Sequence, residues 1–281
     1  MNSSIALGRL YVVSTPIGNL GDFSFRAIEV LRGASLILAE DTRHSRTLLD
    51  RYEIRAPVAS YHEHNEAKMV PALLSRLRAG EELALISDAG TPLLSDPGAR
   101  LVRAAIDAGI TITPIPGASA LLAALVASGM DSDRFTFYGF LPRKGKDRSL
   151  TLAELVSLRH TAVVYEAPTR LSETLAELEV RGAGERIVAV AREMTKQFEE
   201  VRRGTVSELR AYYIDTPPRG EVVIVLAGAE ARVADESDVR TRVRRLVSEG
   251  RSARDVVALL VAELGIPRNR AYAIVEEERN G

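Results

Sequence analysis

The sequence predicts an α/β protein made of two α/β domains with a ligand cleft between them, followed by a small helical module. Three observations predict it. Short apolar runs of strand length alternate with helical patterns through most of the chain. Several of these runs end directly in loops rich in glycine, proline, serine and acidic residues, as strands do where an open α/β sheet binds its ligand. Beyond a polar stretch, Ala229 to Ser237, only helical periodicity remains. The expected units are residues 1–118, 119–228 and 238–281.

The 281-residue length agrees with about two domains plus an appendage. A 46% apolar fraction and a net charge of −1 suit a protein that buries a substantial core. They argue against a globally basic nucleic-acid binder, while leaving room for a local basic patch. The absence of cysteine excludes disulfides, thiolate metal sites and a cysteine nucleophile, and fits the cytoplasm. No apolar stretch approaches the ~18–20 residues of a membrane span, and the start lacks the basic and apolar regions of a secretory signal.

The first strand is Leu10 to Val13, followed by the punctuated loop Ser14-Thr15-Pro16-Ile17-Gly18-Asn19-Leu20-Gly21-Asp22. With glycines only at 18 and 21, this is no dinucleotide-binding fingerprint. A helix with Phe25, Ile28, Val30 and Leu31 on its apolar face comes next. A second strand, Ser35 to Ala39, runs into Glu40-Asp41-Thr42-Arg43-His44, residues suited either to ligand contact or, through Asp41 or Thr42, to capping the next helix. His62 and His64 form an HxH pair expected on a strand, but no third metal ligand is evident. A helix over 66–79, with Met69, Leu73, Leu74 and Leu77 apolar, closes at Gly80.

The stretch Leu83 to Gly98 is the most informative. An apolar strand, Leu83 to Ile86, breaks into Ser87-Asp88-Ala89-Gly90-Thr91-Pro92, and Ser95-Asp96-Pro97-Gly98 opens a helix. Strand, small-residue loop and helix N-terminus together offer unpaired backbone N–H groups to a ligand. Ile110 to Thr113 is the next strand, Pro114 to Gly117 a rigid turn, and Ser119 the start of an Ala/Leu-rich helix.

The second half has aromatics at Phe135, Phe137, Tyr138 and Phe140, then a basic loop with Arg143, Lys144, Lys146 and Arg148. Strands are expected at Ala162 to Tyr165, Ile187 to Ala191 and Val222 to Ala227, with charged residues after the first two. In the tail, Val239, Val243, Leu246 and Val247 form a helical stripe, with Arg240, Arg242, Arg244 and Arg245 at other positions. Ser252 and Asp255 form a capping box, Gly265-Ile266-Pro267 a turn, and Arg268 to Arg270 open a last helix. This is a loose helix-turn-helix outline.

No Walker A sequence, serine-histidine-aspartate order or zinc pattern emerges. The strand-end loops Ser14–Gly21, Ser87–Gly98, Pro114–Ser119, Tyr165–Pro168 and Arg192–Thr195 converge on one crevice suited to a polar, nucleoside-containing ligand. The residues alone name no reaction.

Eight blocks go further. "LYVVSTPIGNLGD", "AEDTRHSRTLL", "SYHEHNE", "LISDAGTPLLSDPG", "IPGASA", "FLPRKGK", "YEAPTRL" and "AREMTKQFEE", in this order from Leu10 to Leu226, resemble the ribosomal RNA methyltransferases of the tetrapyrrole-methylase fold superfamily. The tail also resembles that family's terminal helix-turn-helix module. Where the superfamily's donor loop reads Gly-Asp-Pro, this chain has Gly90-Thr91-Pro92, and its first loop is not glycine-rich. Both departures agree with the RNA-modifying branch rather than with a corrinoid or porphyrin substrate.

The resemblance implies S-adenosylmethionine as methyl donor in the cleft, and methyl transfer to the ribose 2′-oxygen of a cytidine in the decoding region of small-subunit ribosomal RNA. It further implies a small-subunit RNA or assembled subunit as partner, a homodimer, and neither metal nor membrane. Loops and resemblance together select Pro16, Asp88, Ala89, Gly90, Thr91, Leu94, Asp96, Ser119, Ala120, Tyr165, Glu166, Arg192 and Gly220 as donor-binding residues. Removing a hydroxyl proton needs a base, or a cation that favours the alkoxide. The candidates are Glu40, Asp41, Arg43, Lys144, Glu166 and Glu193. RNA contacts are expected from Arg143, Lys144, Lys146, Arg268 and Arg270. A small-molecule tetrapyrrole methyltransferase and a non-catalytic RNA-binding assembly factor remain the alternatives.

Overall fold

A computed structural model describes residues 6–230, 236–264 and 266–280. The first half carries strands β1 (Arg9–Val13), β2 (Leu36–Ala39), β3 (Val58–Ser60), β4 (Glu82–Ile86) and β5 (Thr111–Ile115). Helices α1 (Phe25–Gly33), α2 (Thr42–Arg51), α3 (Glu66–Arg78) and α4 (Ala99–Asp107) connect them. The strands form one sheet in the order β3-β2-β4-β1-β5, every pair parallel. Parallel strands need crossovers, and the sheet is buried on both faces. Val13, Ile37, Ala39, Ala84 and Ile86 pack under α1 and α2, whereas Leu10, Leu36, Leu38, Leu83 and Leu85 pack under α3 and α4.

Two expectations change here. Phe25 is exposed, and Phe23 is buried in its place, packed beside Ile28. Ser24 accepts the Ala27 N–H as N-cap, so the aromatic residue before the cap, not the first one after it, turns inward. Pro114 and Ile115 belong to β5 rather than to a turn. β5 lies at the sheet edge, paired only with β1, so one side of it needs no ladder donor and proline is tolerated.

The second half begins with α5 (Ala120–Ser128), capped by Ser119. It continues through β6 (Phe135–Phe140), α6 (Gly145–Ser157), β7 (Thr161–Glu166), α7 (Leu171–Leu178), β8 (Ile187–Arg192), β9 (Glu200–Thr205), α8 (Val206–Asp215) and β10 (Val222–Leu226). The sheet order is β6-β7-β10-β8-β9, with β6 and β7 parallel and the other pairs antiparallel. α5 packs on one face, over Val163, Ala189, Ala191, Val223 and Val225. The other face is covered by α6, α7 and α8 through Leu152, Leu155, Leu171, Leu175, Leu209 and Tyr213.

β9, Glu200–Thr205, was not expected, because its sequence EVRRGT has no apolar alternation. Its arginines pack by their other properties. Arg202 stacks 3.7 Å from the Tyr212 ring centroid, and Arg203 donates to the Ala127 and Ser128 carbonyls at the C-terminus of α5. Arg148, expected in an exposed basic loop, is buried on α6, bonded to Glu177 at 2.7 Å and Thr174 at 2.9 Å.

The C-terminal helices α9 (Glu236–Ser248), α10 (Ala253–Leu264) and α11 (Arg268–Asn280) share a core of Val239, Val243, Leu246, Val256, Val257, Leu260, Ala271, Ile274 and Val275. Ser252 caps α10 through the Asp255 N–H and also bonds the Asp255 carboxylate. Arg240 and Arg244 of α9 pair with Glu277 and Glu278 of α11, so part of the basic stripe serves internal ion pairs. Gly265, expected in the intervening turn, lies outside the described residues, as do 231–235 of the linker.

Candidate active site

The site follows from the strand order of the first sheet. β1 and β4 are neighbours, but the chain leaves β1 toward β2 on one side and leaves β4 toward β5 on the other. Connections diverging from adjacent parallel strands open a crevice at their carboxyl ends. The two loops are tied together at its base. Thr15 N–H donates to the Gly90 carbonyl at 2.8 Å, and Gly90 N–H donates to the Thr15 carbonyl at 3.1 Å. The buried Thr15 hydroxyl donates to the Ser87 carbonyl at 3.1 Å, and the Ser14 and Thr91 hydroxyls are 2.9 Å apart. Gly90 sits at φ +84°, a conformation that strains any side chain although the space beside it is open to ordinary contact.

Above this floor lies a cavity of about 500 Å³ between the two sheets, of the size that takes a small-molecule ligand. Its first wall holds Ile17, Glu40, Asp88, Ala89, Gly90, Thr91, Leu94, Ser95 and Asp96. Its second wall holds Ser119, Ala120, Phe140, Tyr165, Glu166, Ala167, Pro168, Gly220, Glu221, Val222 and Val223. A smaller cavity of about 230 Å³ adjoins it, sharing Ile17, Asp88, Ala89 and Glu221 and adding Pro16, His44 and Lys196.

The first wall is acidic. The Asp96 carboxyl is pushed up to about 6 by burial and by the neighbouring Glu40 and Asp88 carboxylates. Glu40 is raised too, first by burial and then by Asp88. Asp88 accepts the Asp41 backbone N–H at 3.0 Å, which fixes one of its oxygens. Such a wall favours a positively charged ligand, whose charge would relieve the mutual repulsion. The second wall is largely apolar. The Tyr165 hydroxyl accepts the Leu121 N–H at 3.2 Å and so holds its ring against the start of α5.

Of the donor-binding residues expected from the sequence, Asp88, Ala89, Gly90, Thr91, Leu94, Asp96, Ser119, Ala120, Tyr165, Glu166 and Gly220 line the main cavity. Pro16 lines only the smaller one. Arg192 lines neither and instead pairs with Glu200 of β9 at 3.3 Å.

The candidate bases separate sharply. Glu40 is on the cavity wall. Asp41 is the N-cap of α2, its Oδ1 accepting the Arg43 and His44 N–H groups, and those bonds hold its carboxyl below the usual range. Arg43 points to solvent, 92% exposed. Glu166 is buried at the end of β7, where it accepts from Thr174 at 2.7 Å and from its neighbour Ala167 N–H at 2.8 Å. It is also paired with Arg170 and lies 3.6 Å from Arg148. Burial raises Glu193, but the Glu221 N–H and the Lys196 ammonium 3.0 Å away outweigh it and hold the carboxyl low. Asp41, Glu166 and Glu193 thus spend their oxygens on structure. Arg143, Lys144 and Lys146 are exposed before and at the start of α6, and Arg268 and Arg270 are exposed at the start of α11.

His62 and His64 lie past β3 in a turn rather than on a strand, their rings 5.9 Å apart. Among the described residues no cluster of three or more histidine or carboxylate side chains could hold a metal. Outside the expected crevice loops, sequence reasoning missed Phe140, Glu221, Val222 and Val223 as wall residues. The two valines reach the cavity because β10 begins beside the end of β7, which no periodicity announces.

The family model of the tetrapyrrole (corrin/porphyrin) methylases matches residues 9–210, which include all of the first wall and most of the second. The chain belongs to this family. It is a methyltransferase, and the ribosomal RNA small subunit methyltransferase I proteins are its close relatives. The Synechocystis sp. protein of that name is 44% identical over 279 residues, covering 98% of this chain and all of its own length. Those of Mesorhizobium japonicum and Bacillus subtilis are 49% and 39% identical, covering 85% and 96% of this chain and 82% and 95% of their own.

Solved structures share the fold. Diphthine synthase aligns with a TM-score of 0.62 at 15% identity, over 78% of this chain and 89% of its own. Uroporphyrin-III C-methyltransferase from Thermus thermophilus, complexed with S-adenyl homocysteine, gives 0.56 at 19% identity, over 78% and 97%.

Proposed function

We propose that this methyltransferase transfers a methyl group from S-adenosylmethionine to small-subunit ribosomal RNA, on the ribose 2′-oxygen of a cytidine in the decoding region. The acid-lined cavity between the two sheets is the observation that carries the reading. The donor's charged sulfonium and ammonium groups match Glu40, Asp88 and Asp96, and its apolar surfaces match Tyr165, Ala167, Pro168 and Val223. Gly90, Thr91, Leu94, Ser119, Ala120 and Gly220 complete the set proposed to hold it. The bound donor supplies an electrophilic methyl group. The chain's own work is alignment, worth about 7–11 kcal/mol in favourable cases, and removal of the hydroxyl proton.

Asp96 is the proposed proton acceptor. Its pKa of about 6 leaves it ionised at neutral pH yet basic enough to accept a proton. Arg143, Lys144 and Lys146, and Arg268 and Arg270 of the C-terminal helices, are the proposed phosphate contacts.

The proposed units are 1–118, 119–228 and 238–281, as α5 packs wholly against the second sheet. A homodimer is proposed as well. Leu122 and Val126, one turn apart on α5, are 51% and 79% exposed, so a helix buried on one side also shows an apolar outer side. The cytoplasm is the proposed location, since the proposed substrate is made there. No described helix is long and apolar enough to cross a membrane.

Labelled methyl transfer to small ribosomal subunits, naked small-subunit RNA and a corrinoid precursor tests the proposal. Label on RNA, recovered as a 2′-O-methylcytidine after nuclease digestion, is the expected result. Label on the corrinoid alone would contradict it, as would label on no substrate.

A further inference from the structure

Phe140 combines three features that its neighbours do not share. It lines the cavity, it is 58% exposed, and it sits on the wrong parity for its strand. Alternate residues of a strand face opposite sides, so Tyr138 and Phe140 should share a face and Phe137 should oppose them. β6 instead carries an irregularity. Phe137 pairs with Val163 and Phe140 with Tyr165, three residues of β6 against two of β7. The extra residue turns Phe140 to the side of Phe137, and both rings meet the Tyr165 ring edge-on, with centroids 4.9 and 5.4 Å away. Tyr138 stays on the opposite side, packed against the core under α6 and α7.

The turn is made possible by Gly139 at φ +64°, where a Cβ would stand 2.9 Å from the Ser95 hydroxyl of the opposite wall. Bulges of this kind re-aim a side chain at a site. A ring turned out of the core and left more than half exposed gains little from burial, so the arrangement does not serve stability.

The chain runs from Phe140 directly to the exposed cations Arg143, Lys144 and Lys146. This run is held firmly: Arg170 donates to the Leu141 and Pro142 carbonyls, and Arg148 donates to Pro142 at 3.2 Å. An exposed aromatic face followed by cations on a fixed backbone is the combination that binds unpaired nucleic acid, the ring stacking a base and the cations contacting phosphates. Resting on the RNA reading above, we infer that Phe140 is a stacking platform for an unpaired nucleobase of the RNA substrate, at or next to the nucleotide that receives the methyl group.

The test compares wild type with Phe140→Ala, Phe140→Tyr and Lys144→Ala. RNA affinity is measured by filter binding at several salt concentrations, and donor affinity by calorimetry. Phe140→Ala should weaken RNA binding about 5- to 100-fold. Its salt dependence should be unchanged, since stacking releases no counterions. Donor affinity should fall less than RNA affinity, and Phe140→Tyr should restore RNA binding.

Unchanged RNA affinity in Phe140→Ala would overturn the inference. So would a loss of donor affinity as large as the loss of RNA affinity, which would put the ring against the donor instead. A wild-type protein that binds no RNA would overturn the RNA reading itself, and Lys144→Ala with an unaltered salt slope would remove only the phosphate role of that lysine.

Discussion

The two walls of the cleft are built on opposite principles. The first is made of loops at the carboxyl ends of parallel strands, tied by backbone hydrogen bonds and carrying three carboxylates, Glu40, Asp88 and Asp96. The second is made by a mixed sheet and presents aromatic and aliphatic side chains, Phe140, Tyr165, Ala167, Pro168, Val222 and Val223. Of its two carboxylates, Glu166 is enclosed by Arg148, Arg170 and Thr174, and Glu221 pairs with Lys196 at 3.1 Å. The difference teaches that mutually repelling charge gathers on the first wall, whereas the carboxylates of the second are each paired with a cation. Perturbing the first wall should alter the chemical step, and perturbing the second should alter stability and RNA binding.

The largest effect belongs to the first wall. Asp96→Asn should lower kcat by roughly 10²–10⁴-fold while the protein stays folded. In the wild type, kcat/KM should rise with pH through about 6 as the Asp96 carboxyl ionises, and that limb should vanish in the variant. A variant with near-normal kcat and an unchanged profile would move the proton acceptor to another group, Glu40 first.

Behind the second wall, Arg148→Met should leave Glu177 without its guanidinium partner and Glu166 with Arg170 as its one remaining cation. It should cost about 3–5 kcal/mol, read as a fall in the denaturant midpoint. A loss under about 1 kcal/mol would show that Arg170 alone compensates Glu166.

A smaller effect with the opposite sign distinguishes the walls again. The folded protein holds the Asp96 proton up to about pH 6, whereas the ordinary value is 3.8. The associated stability is therefore fully present below about pH 4 and lost as pH rises through about 6, so ionised Asp96 costs stability at neutral pH. Asp96→Asn should stabilise the protein at pH 7.5 by about 1 kcal/mol, allowing for solvent screening, and by nothing at pH 4. Thermal melts at the two pH values would show the difference, and an equal shift at both would contradict it.

The smallest effects lie outside the cleft. Removing residues 236–281 should weaken RNA binding and reduce its salt slope by about one unit per lost phosphate contact, with donor affinity unchanged. Equal RNA binding by the shortened chain would leave the C-terminal helices without a role in recognition.

The same division decides how much the sequence revealed. The first wall was legible because glycine, proline and aspartate directly after an apolar run mark a strand end, and parallel order sends all such ends to one edge. Asp88 to Asp96 could be placed there without coordinates. The second wall was legible in part: Tyr165 and Glu166 follow an apolar strand, but Phe140 reaches the cavity only through a bulge, and Val222 and Val223 only through strand order. Charge misled most. Arg148 read as a surface cation and is buried, Glu193 read as a candidate base and holds a turn, and Arg202 and Arg203 concealed a strand. An ionic side chain's pattern does not say whether its partner is water, a carboxylate or a ring, whereas an apolar run has one use.

The central claim is that the loop after β4 is the floor of the donor site, and Gly90→Val tests it most directly. A β-branched residue at φ +84° is a strained outlier, and the strain falls where the Thr15 and Gly90 backbones pair. Calorimetric titration of S-adenosylmethionine into wild type and into Gly90→Val, with a cooperative melt showing the variant folded, should find binding in the first and none measurable in the second. Equal affinity in the two proteins would contradict the assignment of this loop to the donor.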